Sequence, residues 1–454
     1  MLAAVDRMQT ETQAAPRTLI VGLGVTGLSC ARFLARQGVE TAVTDSRQQP
    51  PALATLHREL PDVALFVGGF DAGVFDRAER IVISPGVSLQ EPLLQAARRR
   101  GVEIIGDIEL FARSVQAPVV GVTGSNGKST VTTLVGEMAR QAGRDVRVGG
   151  NLGTPALDLT DDHEPDLYVL ELSSFQLETV VSLHCVAATV LNISPDHLDR
   201  YTSLSDYADA KRHIYSGADR QIVNRDDAAA AALASVSGAV ISFGLSEPGD
   251  QNFGVRPTRG GDWIVRGDER WLAVEHLRLP GRHNLANALA ALALGDAVGL
   301  DKAAMLQVLR EFSGLPHRTQ WVAEYGGIGW YNDSKDTNIG ATRAAVQGFD
   351  GPLVLIAGGQ GKGADFSQLA AGLAGRVKLV VLLGEAATEI ERALAGVVPT
   401  LRADTLKDAV RQAAQRAQAG DRVLLSPACA SFDMFDNYQQ RGEQFIQAVQ
   451  ELAP

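Results

Sequence analysis

Short apolar runs alternate with longer segments of helical periodicity along most of the chain. The runs are rich in β-branched residues and are bounded by glycine, which is typical of buried strands in parallel βαβ units. In the first half of the chain they read TLIVG, ETAVTD, RIVIS, EIIGD, PVVGVTG, LYVLEL and AATVLNI. The pattern predicts an α/β protein with largely parallel sheets, which bind ligands at the carboxyl ends of their strands.

The pattern changes twice, and the changes suggest domain boundaries. Residues 253–274 are choppier and predict a small antiparallel part, which two helices follow; after GLPHRT the alternation restarts with GWYNDS, PLVLIAGG, KLVVLLG and DRVLLSP. We expect a Rossmann-like N-terminal domain, a central P-loop ATPase-like parallel sheet with a small antiparallel part, and a Rossmann-like α/β C-terminal domain. The predicted boundaries are 1–106, 107–314 and 315–454, with a disordered leader at 1–16.

Charge and cysteine content exclude several classes of function. The chain has 42 basic and 53 acidic residues, a net charge of −11, and no long basic stripe, so general binding to nucleic acid or to an anionic membrane is not expected. Cys30, Cys185 and Cys429 are far apart in sequence, which favours neither a disulfide framework nor a zinc site. Residues 228–245 are uncharged, but their alanine content favours a helix and a strand over a membrane span. A cytoplasmic protein is expected.

The hexamer GLGVTG forms the first glycine-rich loop. Gly22, Gly24 and Gly27 follow an apolar run and precede a helical pattern, which is the context of the dinucleotide-binding fingerprint. Asp45 ends the next run, where an acid that binds ribose would lie. These residues favour a nucleotide diphosphate and do not identify NAD, and a tight turn without a ligand is the alternative.

A second glycine-rich loop, GVTGSNGKST, resembles a P-loop. Lys128 and Ser129 follow Gly127, but Gly121 lies one residue too early for the full motif. The phosphate cradle is therefore expected at residues 124–127, with Lys128 on the terminal phosphates and Ser129 on magnesium. This loop predicts a site for a nucleoside triphosphate, for which a dehydrogenase has no use.

Two further residues are candidate metal ligands. Glu171 ends the apolar run LYVLEL, where a carboxylate is costly unless it has a partner such as magnesium. The alternative is that Glu171 only caps the next helix. His197 shares its loop with Asp196 and Asp199. An ordinary loop histidine is the alternative there.

Lys211 has an unusual position for a lysine. In a helix over SLSDYADAKRHIYSG it would share an apolar stripe with Leu204, Ala208 and Tyr215. Snorkelling of the amine to the surface is one explanation. The other is that the amine is deprotonated or modified and serves the metal site.

Taken together, these motifs resemble the Mur ligases. The resemblance runs from about residue 18 to the end of the chain, through GVTGSNGKSTVTTLVGEMA, VGGNLGTPAL, LELSSFQLE, LNISPDHLDRY, DYADAKRHIY, GRHNLANALAALAL, GLPHRT, NDSKDTN, AGGQGKGADF and LLSPACASFDMFDNYQQRGEQF. ELSSFQLE and SPACASFDMFDNYQQRG are similar to the members that add D-glutamate. The resemblance implies that ATP converts the alanyl carboxylate of UDP-N-acetylmuramoyl-L-alanine into an acyl phosphate, which the amine of D-glutamate attacks, in cytoplasmic peptidoglycan synthesis.

The resemblance also implies roles for individual residues. For ATP they are Gly124, Ser125, Asn126, Gly127, Lys128, Ser129, Thr130, Asn284, Asn287, Arg318, Asp333 and Lys335. For the UDP-sugar they are Gly24, Val25, Thr26, Asp45, Ser46, Arg47, Asn151 and His197. For D-glutamate they are Thr337, Lys362, Ser431, Phe432 and Tyr438. Lys128, Glu171, His197 and Lys211 would be catalytic.

Two magnesium sites follow from the same resemblance. Ser129 and Glu171 would hold one ion, and His197 with Lys211 would serve the other. The lysine would be carboxylated by carbon dioxide to a carbamate, which would explain its place on the apolar stripe. We expect a monomer that acts on small molecules and has neither nucleic-acid nor membrane partners.

The chain departs from the family pattern in places, and other functions remain to be weighed. Gln320 stands where the family commonly has glutamate, Asp336 replaces a small residue, and Tyr438 stands where some relatives have phenylalanine. The alternatives are a related ligase similar to folylpolyglutamate synthetase, which leaves the first loop without a purpose, and a non-catalytic nucleotide-binding regulator.

Overall fold

The computed structural model describes residues 17–161, 163–194, 196, 200–235, 238–279, 281–349, 351–361 and 363–453. Contacts divide the chain into two compact units. The first unit consists of Met1–Lys128, Arg144–Val223 and Asp227–Val240, and the second of Ser129–Gly143, Asn224–Asp226 and Ile241–Pro454. The predicted leader at 1–16 lies outside the described residues.

The first unit begins with a parallel sheet whose order is β3-β2-β1-β4-β5. This order is typical of nucleotide-binding α/β folds. β1 is buried along its whole length, because helices cover both faces, whereas edge strand β3 is largely exposed. The elements are β1 (Thr18–Val21), α1 (Val25–Arg36), β2 (Thr41–Asp45), α2 (Leu53–Glu59), β3 (Ala64–Val67), α3 (Ala72–Asp76), β4 (Arg80–Ile83), α4 (Pro92–Arg99), β5 (Glu103–Gly106) and α5 (Asp107–Ala112).

The next part of the chain contributes parallel strands in the order β10-β9-β6-β8-β7. Their inner residues are apolar and buried, and one continuous core extends from Ile20 through Tyr168 to Leu233. The elements are β6 (Val119–Thr123), α6 (Lys128–Gln141), β7 (Val146–Gly150), β8 (Leu167–Glu171), α7 (Ser174–Leu177), β9 (Ala187–Val190), α8 (Leu204–Arg212), β10 (Arg220–Asn224), α9 (Ala228–Ala231) and β11 (Ala239–Phe243), with 3-10 turns at Ala156–Leu159 and His213–Tyr215.

The second unit contains the predicted antiparallel part. The strands β12 (Phe253–Thr258), β13 (Gly261–Arg266) and β14 (Glu269–Ala273) are antiparallel neighbours, and Phe243 of β11 pairs in parallel with Phe253. A 3-10 turn at Val274–His276 precedes α10 (Arg282–Ala297) and α11 (Lys302–Glu311). Helix α10 is buried on nearly every side, which explains its alanine and leucine content.

The rest of the second unit is a sheet in the order β15-β16-β20-β17-β18-β19. All its neighbouring strands run parallel except β15 and β16. The elements are β15 (Gln320–Tyr325), β16 (Ile328–Asn332), α12 (Ile339–Gln347), β17 (Leu353–Gly358), α13 (Ser367–Leu373), β18 (Val377–Leu383), α14 (Ala387–Leu394), β19 (Thr400–Arg402), α15 (Leu406–Arg416), β20 (Arg422–Leu425) and α16 (Tyr438–Gln450).

The predicted fold class is confirmed: the sheets are mostly parallel, helices alternate with strands, and a small antiparallel part follows β11. Within the described ranges, no helix combines the length and the apolar character needed to cross a bilayer. The uncharged stretch 228–245 contains the short helix α9 and strand β11, as predicted.

Candidate active site

The three glycines of the first loop differ in how closely their surroundings pack against them. Gly22 has φ +100°, and a Cβ there would lie 2.9 Å from the Cβ of Ser84; a Cβ on Gly27 would lie 1.9 Å from the carbonyl oxygen of Gly22. A Cβ on Gly24 would meet nothing within 4 Å. Two glycines are therefore required by packing, whereas Gly24 leaves open space in front of the start of α1.

A cavity of about 620 Å³ lies beside this loop. Its walls come from the ends of β1, β2 and β4 and from the segment after β7. Every predicted UDP-sugar residue except His197 lines it, namely Gly24, Val25, Thr26, Asp45, Ser46, Arg47 and Asn151. Further lining residues include Ser84, Pro85, Gly86, Val87 and Gln176. The size suits a ligand larger than a single phosphate.

Asp45 anchors the loop and Arg47 at once. It accepts hydrogen bonds from the backbone N–H of Leu23 at 2.7 Å and from Nε and Nη2 of Arg47 at 2.9 and 2.7 Å. Burial opposes ionisation, but the bonds from Arg47 and Leu23 outweigh it and lower the pKa of Asp45 to about 2. Asp45 is therefore a carboxylate at neutral pH, and it aims a half-exposed guanidinium beside the cavity.

The second loop is held by side chains from the segment after β9. Asn192 Oδ1 accepts from the N–H of Asn126 at 2.8 Å, and Asn192 Nδ2 donates to the carbonyl of Asn126 at 3.0 Å. Ser125 Oγ accepts from the N–H of Ser194 at 3.0 Å and lies 3.1 Å from the hydroxyl of Tyr207. These contacts fix the peptide planes of the loop.

Lys128 begins α6 and folds back over the loop. Its Nζ donates to the carbonyl oxygens of Gly124 and Ser125, each at 2.9 Å. Gly124 has φ +147°, and a Cβ there would lie 3.0 Å from the Cβ of Leu191. The loop therefore needs glycine at 124 for both conformation and space.

Glu171 ends β8 and is 3% exposed. Asn151 donates its side-chain N–H to Glu171 Oε1 at 2.6 Å and its backbone N–H to the Glu171 carbonyl at 2.8 Å. Glu171 Oε2 is buried and has no hydrogen-bond partner among the described residues. The helix-capping alternative is wrong, because Ser173 caps α7 in a capping box with Gln176.

Lys211 is 1% exposed, so its amine does not snorkel to the surface. Nζ donates to Thr123 Oγ1 at 3.3 Å and lies 4.6 Å from the centre of the Tyr207 ring. Burial, reinforced by the charge of Lys128, lowers the pKa of Lys211 to about 7. The predicted apolar stripe holds for Ala208 and Tyr215, whereas Leu204 is 38% exposed.

Two predicted site residues, His197 and Lys362, lie outside the described residues. Within the described part of the chain, no group of three or more histidine, cysteine, aspartate or glutamate side chains could hold a metal ion. The second predicted magnesium site, which includes His197, therefore stays a prediction.

In the second unit, the predicted adenine-side residues meet on one turn of α10. Asn284 and Asn287 are buried, and Asn287 Nδ2 donates to Asn284 Oδ1 at 3.4 Å. The predicted ATP contacts that flank the β15–β16 pair do not share one environment: Arg318, before β15, is exposed, whereas Asp333 and Lys335, after β16, are buried and half-buried.

Asp333 holds a strained backbone. Thr319 has φ +42°, which is unusual for a β-branched residue, and its N–H donates to Asp333 Oδ1 at 2.8 Å. His317 and Ala428 also have positive φ values, of 62° and 58°. Burial and the nearby carboxyl of Asp336 raise the pKa of Asp333. The departure from a small residue at 336 thus places a second acid beside a buried one.

Arg441 links two predicted ligand loops and was not among the predicted site residues. It is 1% exposed; Nε donates to Ser334 Oγ at 3.0 Å, Nη2 to the Ser334 carbonyl at 2.9 Å, and Nη1 to the carbonyls of Cys429 and Ala430 at 3.2 and 3.3 Å. Ser431, which follows Ala430 in the chain, is buried, whereas Phe432 is 63% exposed. Thr337 is exposed, and Tyr438 packs against Lys335, whose Nζ lies 5.5 Å from the ring centre.

Sequence reasoning also missed Asn192 and Gln176. Asn192 lies directly after the apolar run of β9, and that position at a strand end is a signal that could have been used. Gln176 lies in the quoted motif ELSSFQLE. The motif gives no signal that this residue both completes the capping box of α7 and lines the cavity.

Comparison with known proteins decides the family. Three family models match consecutive parts of the chain: "Mur ligase MurD-like, N-terminal domain" over 16–106, "Mur ligase middle domain" over 122–295 and "Mur ligase, glutamate ligase domain" over 317–429. The UDP-N-acetylmuramoylalanine--D-glutamate ligase of Nitrosococcus oceani is 56% identical over 444 residues, which cover 97% of this chain and 98% of that protein. The chain belongs to the Mur ligase family.

Other relatives agree with this membership. The UDP-N-acetylmuramoylalanine--D-glutamate ligase of Pseudomonas fluorescens is 53% identical over 439 residues, 96% of this Mur ligase and 98% of the relative. The Thermotoga maritima UDP-N-acetylmuramate-alanine ligase MurC has a TM-score of 0.56 at 19% identity, and the Methanothermus fervidus pseudomurein peptide ligase type C has 0.55 at 17%. Each comparison covers 96% of this chain and 100% of the solved one, and at these identities it shows the Mur ligase fold alone.

Proposed function

We propose that this Mur ligase uses ATP to join D-glutamate to UDP-N-acetylmuramoyl-L-alanine in peptidoglycan precursor synthesis. The observation that carries the proposal is the 56% identity, over 97% of the chain, to a ligase that bears this activity in its name. At such identity and coverage, the two alternatives, a folylpolyglutamate synthetase-like ligase and a non-catalytic regulator, are not favoured. Two phosphate loops suit a ligase whose acceptor and energy source are both nucleotides.

The acceptor would bind in the cavity beside the first loop. The start of α1 offers backbone N–H groups toward a diphosphate, and Gly24 leaves room for its close approach. The guanidinium that Asp45 orients supplies a cation. Asn151 lies in the wall of this cavity and also bonds Glu171. We therefore place the alanyl end of the acceptor toward Asn151.

ATP would bind at the second loop with magnesium. Glu171 fits a magnesium ligand, because Oε2 is a buried carboxylate oxygen without a hydrogen-bond partner among the described residues. As the family resemblance implies, Ser129 would hold the same ion as Glu171, and His197 with Lys211 would serve a second one. When bound, magnesium would neutralise phosphate charge. Lys128 would exchange its bonds to the Gly124 and Ser125 carbonyls for phosphate oxygens.

The reaction needs an activated carboxyl group and an unprotonated amine. A carboxylate oxygen of the alanyl group forms a bond to the γ-phosphorus as the bond to ADP breaks. The amine of D-glutamate then attacks the acyl carbon, the tetrahedral intermediate expels phosphate, and the amine proton leaves to solvent or to a base. Lys128 would stabilise the charge on the transferring phosphoryl group.

D-glutamate is assigned to the loops of the second unit. Thr337, Lys362, Ser431, Phe432 and Tyr438 remain the predicted residues, and the Arg441 bonds to Ser334 and Ala430 support a fixed geometry for the segments that carry Thr337 and Ser431. Arg318, Asp333, Lys335, Asn284 and Asn287 remain the predicted ATP contacts. We keep the domain boundaries 1–106, 107–314 and 315–454, and a cytoplasmic monomer, as part of this proposal.

We also propose that Lys211 carries a carbamate. A buried amine with one neutral hydrogen-bond partner is suited to react with carbon dioxide, since the carbamate has two acceptor oxygens that a cation can bind. Labelled bicarbonate should give a ¹³C carbamate resonance that Lys211→Gln lacks. Equal spectra for the two proteins would contradict the carbamate.

The amino-acid panel tests the function. Purified protein with ATP, magnesium and UDP-N-acetylmuramoyl-L-alanine should release phosphate only when D-glutamate is present. Equal turnover with L-glutamate, or turnover without the UDP-sugar, would contradict the assignment.

A further inference from the structure

Arg200 joins two separate parts of the first unit. It lies four residues before α8, and its side chain is 15% exposed. Nη1 donates to the carbonyl oxygen of Pro85 at 2.6 Å, and Nη2 donates to the carbonyl oxygen of Val87 at 3.0 Å. Both acceptors belong to the turn that follows β4, more than a hundred residues away in sequence.

This turn is a wall of the acceptor cavity. Residues 84–87 all line it. Ser84 is fixed to the first glycine loop, since its Oγ donates to the carbonyl of Gly22 at 2.9 Å. The N–H of Val87 donates to the backbone carbonyl of Ser84 at 3.0 Å. Arg200 holds the next carbonyl groups of this turn, those of Pro85 and Val87.

The guanidinium itself is held by α7 and its flanks. Nη2 also contacts Glu178 Oε2 at 3.2 Å, and that carboxylate is 16% exposed. The guanidinium carbon lies 4.2 Å from the centre of the Phe175 ring. Between these two residues in sequence lies Gln176, which lines the same cavity. The planar fork of arginine can serve two carbonyls, a carboxylate and a ring face together, which a lysine cannot.

We propose that Arg200 is a positioning residue for the acceptor nucleotide-sugar, which it serves by holding the 84–87 turn against α7 as one continuous cavity wall. This inference rests on the proposed function, because it takes the cavity to bind UDP-N-acetylmuramoyl-L-alanine. Arg200 does not line the cavity itself. Its removal changes the shape of the wall and leaves the residues of the second loop intact.

Calorimetric binding of UDP-N-acetylmuramoyl-L-alanine to the full chain, together with steady-state kinetics, tests the proposal. Arg200→Ala should weaken acceptor binding and raise its KM about tenfold, because the bonds that hold the 84–87 turn are lost while the direct contacts of the acceptor stay, with little change in the KM for ATP. Arg200→Lys should recover part of the loss, and added guanidinium ion should partly rescue Arg200→Ala. Glu178→Gln, which loosens the guanidinium, should raise the acceptor KM about two- to fivefold.

Arg80→Ala is the matched control. Arg80 lies at the opposite end of β4 from the turn, and it also forms a partly buried ion pair, with Glu103 at 2.7 Å. Its removal should leave the acceptor KM unchanged. Hydrogen exchange gives a second readout: peptides that cover residues 84–90 should exchange faster in Arg200→Ala, and peptides from β15 should not.

The outcomes separate the two proposals. If the wild-type protein fails to bind the acceptor, the proposed function is wrong. If the wild type binds and Arg200→Ala binds equally well, the positioning role is wrong. The role is also wrong if Arg200→Ala weakens acceptor and ATP binding to the same extent, or if the exchange of residues 84–90 is unchanged.

Discussion

The two glycine-rich loops of this Mur ligase, both proposed to bind phosphate, are held in place differently. The first loop is shaped by close backbone packing, in which Gly27 touches Gly22 and Gly22 touches Ser84, and it leaves an open cavity before it. The second loop is held by side chains, chiefly Asn192 and Ser125, and carries its own cation, Lys128. A glycine pattern thus indicates phosphate binding. The surrounding groups, an open cavity in one case and the cation Lys128 in the other, indicate whether the phosphate belongs to a bound substrate or to the group that is transferred.

The largest effect should come from removing the cation of the second loop. Lys128→Met should lower kcat/KM by about 10²- to 10³-fold, since a positioned charge on the transferring phosphoryl group is lost. Calorimetry should show unchanged affinity for the UDP-sugar. Lys302→Met, which removes an exposed lysine paired with Glu269, serves as the control. A similar loss in that control, or a loss of UDP-sugar binding in Lys128→Met, would remove the distinction between the loops.

Two alanine substitutions should separate packing from ligand approach in the first loop. Gly27→Ala should destabilise the protein by about 2 kcal/mol or more, because its Cβ would meet the Gly22 carbonyl at 1.9 Å. Gly24→Ala should leave the melting temperature unchanged and raise the acceptor KM about tenfold, since only a ligand would meet its Cβ. Unaltered acceptor kinetics in Gly24→Ala would mean that the diphosphate binds elsewhere.

A pH series tests the buried carboxyl group that holds Gln176, a residue of the cavity wall beside the first loop. Asp107 accepts a hydrogen bond from Gln176, a cavity-lining residue, and burial raises the pKa of Asp107 to about 6. A raised carboxyl pKa stabilises the fold below the ordinary value of 3.8, and this contribution is lost as pH rises through about 6.

The unfolding free energy of Asp107→Asn relative to the wild type should therefore rise by about 1–3 kcal/mol between pH 4 and pH 8. Denaturant unfolding at each pH measures it. A flat difference for Asp107→Asn would mean that the carboxylate is better solvated than its burial indicates.

The smallest effect should come from the amide that holds the second loop. Asn192→Ala removes both bonds to Asn126 and should raise the KM for ATP about three- to tenfold, because the loop must be ordered when ATP binds. The acceptor KM should not change. Asn252→Ala is the control, because the side chain of Asn252, directly before β12, also makes two bonds, accepting from the N–H of Ser242 and donating to the carbonyl of Asp250. An equal effect there would contradict a specific role for Asn192.

Most strands that the sequence predicted have apolar runs and lie in the middle of a sheet, although edge strand β5 was predicted as well. The missed strands are mostly edges or short pieces: β3 exposes its apolar side chains, β7 contains arginine and ends in two glycines, and β19 has three residues. Packing does not require an apolar run at these positions, so the sequence contains little signal for them.

The site residues divide in a similar way. Glu171 and Lys211 could be identified because a charge in an apolar pattern is costly, and both are buried in the structure. Arg441 could not, because its role depends on carbonyl groups that only the fold brings within reach. The end of β9 points to the position of Asn192, but only the fold shows its bonds to Asn126. Likewise, the sequence gives no signal for the positive φ of Thr319, because threonine rarely has a positive φ.

The Asn151 bridge has a consequence for inhibitor design. Asn151 lines the cavity beside the first loop and donates one side-chain N–H and its backbone N–H to Glu171. A compound that fills the cavity and offers Asn151 a stronger acceptor would take a hydrogen bond away from that glutamate. Such a compound would compete with the sugar nucleotide and, through one shared residue, disturb the carboxylate assigned to magnesium.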